Sequence, residues 1–295
     1  MRTPRPRCAT VIAVLAILAA CNRERPAAAT GDTTAAAAPQ PAAPTTPAVL
    51  AITATDFAFD APSQIPAGLT TIRVTTHGKE LHQAALIRLD SGKTMADLAA
   101  AFKKPGPPPA WAVAAGGPNT PTPNGGTAEV TQDLPAGNYA IICYIPSPDG
   151  VPHFGKGMLH PLTVTPSTTP AAPMPNADAT VTLADYTFTL SAPLTPGKHI
   201  LRVDNAGPQV HELVLVKLSP GTTGKQLAAW VAGGMKGPPP AMPIGGVAPI
   251  APGGTAFMPA DLAPGNYSML CFVPDAKDGK EHAMHGMIKD FTVGA

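Results

Sequence analysis

An internal duplication constrains this chain more than any other feature of it. Ile72-Arg73-Val74 returns as Leu201-Arg202-Val203, and Gly78 with His82 returns as Gly207 with His211. Gly106-Pro107-Pro108-Pro109-Ala110 recurs as Gly237-Pro238-Pro239-Pro240-Ala241. Leu134-Pro135-Ala136-Gly137-Asn138-Tyr139 recurs as Leu262-Ala263-Pro264-Gly265-Asn266-Tyr267, and the offset stays between 128 and 131 residues throughout. A unit of about 115 residues is too long for a solenoid repeat and long enough for its own core, so two copies of one domain are expected.

Within each copy the pattern is mostly β. Ile72 and Val74 alternate with Thr71, Arg73 and Thr75, the period of a half-buried strand. Ala85-Leu86-Ile87 and Leu213-Val214-Leu215-Val216 read as buried strands. Gly137-Asn138 and Gly265-Asn266 are turn signals before strands expected over Tyr139–Tyr144 and Tyr267–Val273. One short helix per copy is predicted. Thr94 with Asp97, and Thr223 with Gln226, supply an N-cap and its N3 partner ahead of an apolar pair four residues apart. The expected fold class is all-β, with two Greek-key β-sandwich domains at 49–166 and 178–295, joined by a Pro/Ala/Thr linker at 167–177.

The segment before the first copy reads as targeting and tether. Arg2, Arg5 and Arg7 precede an apolar run, Ala9 to Ala20, that is too short for a permanent span. Leu18-Ala19-Ala20-Cys21 resembles the lipobox of bacterial lipoproteins, which implies cleavage after residue 20, lipidation of Cys21 and export to a membrane-anchored position, on the outer membrane in a Gram-negative cell. Residues 21–48 are rich in Ala, Pro and Thr and cannot bury enough apolar surface to offset their ordering entropy. Losing the leader removes three arginines and no acid, which takes the formal charge from +1 to −2. A near-neutral chain lacks the basic field that nucleic acid requires, and the membrane is expected to be reached only through the lipid.

Of the four cysteines, Cys8 falls in the leader and Cys21 in the lipobox, which leaves Cys143 and Cys271, one per copy. His153 and Met158 follow Cys143, and His282 and Met287 follow Cys271. His82 or His211 lies some sixty residues upstream. Two imidazoles, a thiolate and a thioether are the ligand set of a mononuclear blue-copper site. Period two places Tyr139, Ile141 and Cys143 on one strand face, as it does Tyr267, Met269 and Cys271. Two other readings stand beside copper: the cysteines are buried apolar filler, or they form a disulfide between the copies in an oxidising compartment. His77, His160, His199 and His285 have no counterpart in the other copy and read as surface residues. His285, three positions from His282, is that residue's rival as a ligand.

With Asp56-Phe57-Ala58-Phe59, the turn at Gly78 before His82 and the Cys…His-x4-Met loop, the chain resembles the cupredoxin family, plastocyanin- and azurin-like proteins. The Cys-to-His spacing is similar to the type 1 site of copper nitrite reductases. The first copy departs from the family in having Thr76-His77 where the second has Asn205-Ala206. The resemblance implies one copper per domain, held by His82, Cys143, His153 and Met158, and by His211, Cys271, His282 and Met287. It also implies one-electron transfer with redox partner proteins outside the cytoplasm. Val151, Pro152 and Phe154 predict an apolar electron port at the edge of His153, whereas Lys280 and Glu281 predict a more polar surface beside His282. Copper storage or delivery, and a metal-free interaction module, are the alternatives. No His-x-His pair occurs, and the neighbours of the cysteines are Ile142 and Tyr144, and Leu270 and Phe272. On that ground the expectation is an electron carrier or binding protein and not an enzyme.

Overall fold

The computed structural model describes residues 46–103 and 106–294. The expected signal peptide 1–20, the lipidation site Cys21 and the tether as far as residue 45 lie outside the described residues. No helix among the described residues is long and apolar enough to cross a membrane.

In the first repeat the strands are β1 (Ala48–Thr55), β2 (Ala58–Asp60), β3 (Gln64–Pro66), β4 (Gly68–Thr76), β5 (Ala85–Leu89), β6 (Ala112–Ala114), β7 (Thr127–Leu134), β8 (Gly137–Ile142) and β9 (Leu159–Thr165). The second repeat supplies β10 (Ala179–Ala184), β11 (Thr187–Leu190), β12 (Gly197–Asn205), β13 (His211–Leu218), β14 (Ala241–Ile250), β15 (Thr255–Leu262), β16 (Gly265–Leu270) and β17 (Ile288–Val293). Helices α1 (Met95–Phe102) and α2 (Gly224–Ala232) interrupt the two sets at matching places.

The strands form two β-sandwiches that share a layer. One eight-stranded sheet runs β11-β10-β12-β15-β7-β4-β1-β2, and its two halves face the sheets β14-β13-β16-β17 and β3-β9-β8-β5-β6. In the first sandwich Leu50, Ile72 and Val74 pack against Leu86, Tyr139, Ile141 and Leu162. In the second, Val181, Leu201 and Val203 pack against Leu213, Tyr267 and Met269.

Both helices carry the capping box expected from sequence. The Asp97 N–H donates to Thr94 Oγ1 (3.2 Å) and the Thr94 N–H to Asp97 Oδ2 (2.9 Å), a reciprocal pair that Thr223 and Gln226 repeat. Each helix covers the outer face of its neighbouring sheet. Leu98 packs over Ala140 and Ile142, and Leu227 packs over Leu270. This second layer explains why β8 is buried on both faces from Tyr139 onward. The turns before β8 and β16 are pinned alike, the Tyr139 hydroxyl donating to Pro135 O (2.8 Å) and that of Tyr267 to Ala263 O (2.7 Å).

Strands β8 and β16 stop earlier than the apolar run predicts, at Ile142 and Leu270, one residue before each cysteine. There the backbone turns out of the ladder: the Phe154 N–H donates to Cys143 O (3.0 Å) and the Ala283 N–H to Cys271 O (2.8 Å). Each cysteine is thereby tied to the loop that carries its histidine.

The repeats also meet along a seam of main chain. Ala115 pairs antiparallel with Ile250 and Pro118 with Val247, positions separated by nearly the repeat offset. The same segment of each copy thus faces its own counterpart, as in an isologous contact. Hydrogen bonds from Gly116 N to Pro249 O (2.9 Å) and from Ala248 N to Gly117 O (2.8 Å) close this seam, and the described residues fall in one compact unit.

Candidate metal centres

The structure brings the sequence-predicted residues together in two groups. His82, Cys143 and His153 form one and His211, Cys271 and His282 the other, all buried, each offering one ligand atom within 4.8 Å of the others. In the first group His82 Nδ1 lies 3.1 Å from His153 Nδ1, which lies 3.4 Å from Cys143 Sγ. In the second, the Nδ1 atoms of His211 and His282 are 3.0 Å apart, and Cys271 Sγ is 3.4 Å from the latter and 4.0 Å from the former. Donors bound about 2.0–2.3 Å from one ion are separated from each other by such distances. Met158 and Met287 are fully buried in the same core clusters as Cys143 and Cys271.

The chemistry of the donors also fits a copper ion. Burial pushes the Cys143 thiol up to about 12, against N–H bonds from Gln83 and Ile145 that favour the thiolate. The Cys271 thiol is raised still further, again by desolvation first. Left alone, such thiols stay protonated; a bound cation is what deprotonates them. Desolvation lowers His82, His211 and His282, which keeps their imidazoles neutral, as metal ligation demands. Both cysteines are free, which answers the disulfide reading.

Sequence reasoning missed the groups behind the imidazoles. His82 Nε2 meets Asp56 Oδ1 at 3.1 Å, His153 Nε2 meets Glu80 Oε2 at 2.8 Å, and His211 Nε2 meets Asp185 Oδ1 at 2.7 Å. His282 Nε2 faces Asp275 Oδ2 more loosely, at 3.7 Å. A carboxylate on the outer nitrogen leaves Nδ1 as the free lone pair and fixes the ring. Burial raises Asp56, but the N–H groups of Glu80 and Lys79, together with His82, outweigh it and hold the carboxyl below its usual range. A sequence signal was present: Asp56-Phe57-Ala58-Phe59 returns as Asp185-Tyr186-Thr187-Phe188. The aromatic of each lies edge-on to an imidazole, Phe57 against His153 at 5.2 Å and Tyr186 against His282 at 5.5 Å.

These contacts correct the expected electron port. His153 is 0% exposed, its outer nitrogen taken by Glu80 and its ring covered by Phe57, so no bare imidazole edge reaches solvent between Val151 and Phe154. His282 is equally buried. His285 does not join Cys271. It lies in a third, partly exposed group with Asp275 and Asp278, bonded to Asp278 at 3.1 Å and tilted against Tyr186 at 4.9 Å. His77 is exposed, while His160 and His199 are partly buried outside either group.

No protein-family model matches the chain, and no curated protein does. Solved structures do match. Reduced auracyanin from the photosynthetic bacterium Roseiflexus castenholzii is 21% identical with a TM-score of 0.29, covering 41% of this chain and 98% of its own. Auracyanin A, a "blue" copper protein from Chloroflexus aurantiacus, is 26% identical with a TM-score of 0.28, covering 41% and 100%. The blue copper oxidase from Nitrosomonas europaea is 18% identical with a TM-score of 0.23, covering 83% and 84%. The fold is cupredoxin-like.

The expectation that the chain is not an enzyme does not hold. Multicopper oxidases, a laccase from Botrytis aclada and a copper-containing nitrite reductase from Thermus scotoductus match over 83–86% of the chain at 11–18% identity with TM-scores of 0.21–0.25, and each buried His/Cys group above could hold a metal ion. A His-x-His pattern detects only ligands that are near neighbours in sequence. A fold assembles ligands from distant positions, as the 4.8 Å grouping of His82, Cys143 and His153 illustrates.

Proposed function

We propose that the protein binds copper in two type 1 centres and moves single electrons through them. The first centre would use His82, Cys143 and His153 with Met158 as the axial ligand, and the second His211, Cys271 and His282 with Met287. The observation that carries this reading is the convergence of two Nδ1 atoms and one Sγ in each buried group, with the outer imidazole nitrogens turned to carboxylates. Copper supplies the one-electron couple. The chain presets the donors, keeps water from them and holds the ring orientations. Leu18-Ala19-Ala20-Cys21 supports a lipid-anchored protein of two cupredoxin domains, 49–166 and 178–295, working outside the cytoplasm with protein redox partners.

The test is optical. Cu(II) added to residues 46–295 should produce an intense thiolate-to-copper band. Cys143→Ser and Cys271→Ser should each remove one share of it, and the double variant all of it. A parent protein without the band refutes the reading, and a band surviving both substitutions refutes the ligand assignment.

A further inference from the structure

A run of covalent bonds and buried hydrogen bonds connects His82 of the first group with Cys271 of the second across the seam. At the first centre the candidate ligand His82 is followed in the chain by Gln83. The next residue, Ala84, donates its N–H to Pro118 O at 3.1 Å. Asn119 follows Pro118 and sends its Nδ2–H across the seam to Glu212 Oε2 at 2.9 Å. The Glu212 N–H donates to Cys271 Sγ at 3.4 Å, and Glu212 Oε1 accepts from Phe272 N, next to that cysteine, at 2.9 Å. Gln83, Ala84, Asn119 and Glu212 are all at most 6% exposed.

We infer that this route, His82–Gln83–Ala84–Pro118–Asn119–Glu212–Cys271, carries electrons between the two centres inside one molecule. Three features support it. Both ends terminate on candidate ligands, His82 at the first centre and Cys271 Sγ at the second. Every non-covalent link is a hydrogen bond within a water-excluded interior, where such bonds form contiguous coupling networks. The residues that cross the seam are special to their copy: Asn119 stands where the second repeat has Ala248, and Glu212 where the first has Gln83. Symmetry of the fold therefore does not account for the Asn119–Glu212 bond. The closed imidazole edges fit the same role, since each centre presents little of itself to solvent. With copper held at both centres by these residues, one electron would pass along the route, and the step would balance as Cu(I) to Cu(II) at one centre against Cu(II) to Cu(I) at the other. No bond forms or breaks and no further reactant is needed.

The inference rests on copper occupying both centres, and the experiment separates the two ideas. In a Met158→Gln background, which sets the centres apart in band and potential through the axial ligand, both sites are loaded and half the copper is reduced by a light-activated small reductant. Redistribution between the centres should follow first-order kinetics independent of protein concentration. Asn119→Ala should slow it by roughly tenfold or more, the equivalent of ~1.4 kcal/mol in barrier, with both visible bands unchanged. Asn119→Ser is the milder version should the alanine variant fail to load both sites. Thr122→Val removes another seam bond, Thr122 Oγ1 to Pro243 O (3.0 Å), that lies off the route, and should leave the rate alone. A rate proportional to protein concentration, an unchanged rate in the Asn119 variants, or equal slowing by Thr122→Val would overturn the route while leaving the copper reading intact. A missing band at either centre overturns both.

Discussion

At the scale of single residues, the imidazoles of His82, His153 and His211 are each held from behind by a carboxylate, and that support is measurable apart from any reaction. Asp185→Asn keeps the size of the side chain but replaces the charge that faces His211 Nε2 at 2.7 Å. Outer partners of this kind contribute about 10–100-fold in metal affinity, so competition with a chelator should show copper leaving the second centre preferentially. The glycine four residues before each upstream histidine is required for space. A Cβ on Gly207 would sit 2.7 Å from His211 Nε2 and 3.1 Å from Ala184 Cα, and one on Gly78 would collide with the Asp56 carboxylate and the His82 ring. Gly207→Ala should therefore destabilise the fold by about 1–3 kcal/mol, as overpacking does, read as a lowered denaturant midpoint. The six His and Cys residues that the structure gathers were legible because the same residue types recur at matching places in both copies. The carboxylates were harder to see, since Asp56 and Glu80 lie 26 and 73 residues from the rings they support.

At the scale of elements, sequence was most informative where one local rule decided the structure. The Thr-x-x-Asp and Thr-x-x-Gln boxes start α1 and α2 where expected, because the cap bonds are made entirely within four residues. Thr223→Ala should cost about 1 kcal/mol through the orphaned N–H at the start of α2, seen as a shift in thermal midpoint with no change in the optical properties of bound copper. Strand ends were less legible. The apolar run through Ile142 and Cys143 reads as continuous β, yet Cys143 leaves the sheet because its carbonyl is taken by Phe154 from the histidine loop. That bond depends on a loop eleven residues away, beyond the reach of a period-two pattern. The single apolar face expected of β8 is also only half the account, because α1 and Trp111 cover its other face.

At the scale of the whole molecule, the repeats share a sheet and bury ionisable groups at the join, which a self-comparison of sequence cannot foresee. Main-chain bonds form the seam, and they leave no residue signature; Asn119 and Glu212, which do, break the repeat and so escape an alignment of one copy with the other. Glu212 makes the join sensitive to pH. Burial pushes its carboxyl up to about 7 from 4.5, against bonds from Phe272 N and Asn119 that favour the charged form. A carboxyl raised in the folded state keeps its proton there after the unfolded chain has lost it. Its contribution to stability is therefore complete below 4.5 and disappears as the pH rises through 7. The difference corresponds to about 3 kcal/mol at 1.36 kcal/mol per unit. In the metal-free protein, Glu212→Gln removes this dependence while Glu281, also raised by burial, stays in place in both forms. Urea midpoints at pH 4.5, 6 and 7.5 should show the parent losing stability relative to Glu212→Gln as the pH rises. Parallel curves for the two proteins would mean that Glu212 is ionised in the folded state, as a carboxylate stabilised by Asn119 and Phe272 rather than a buried acid.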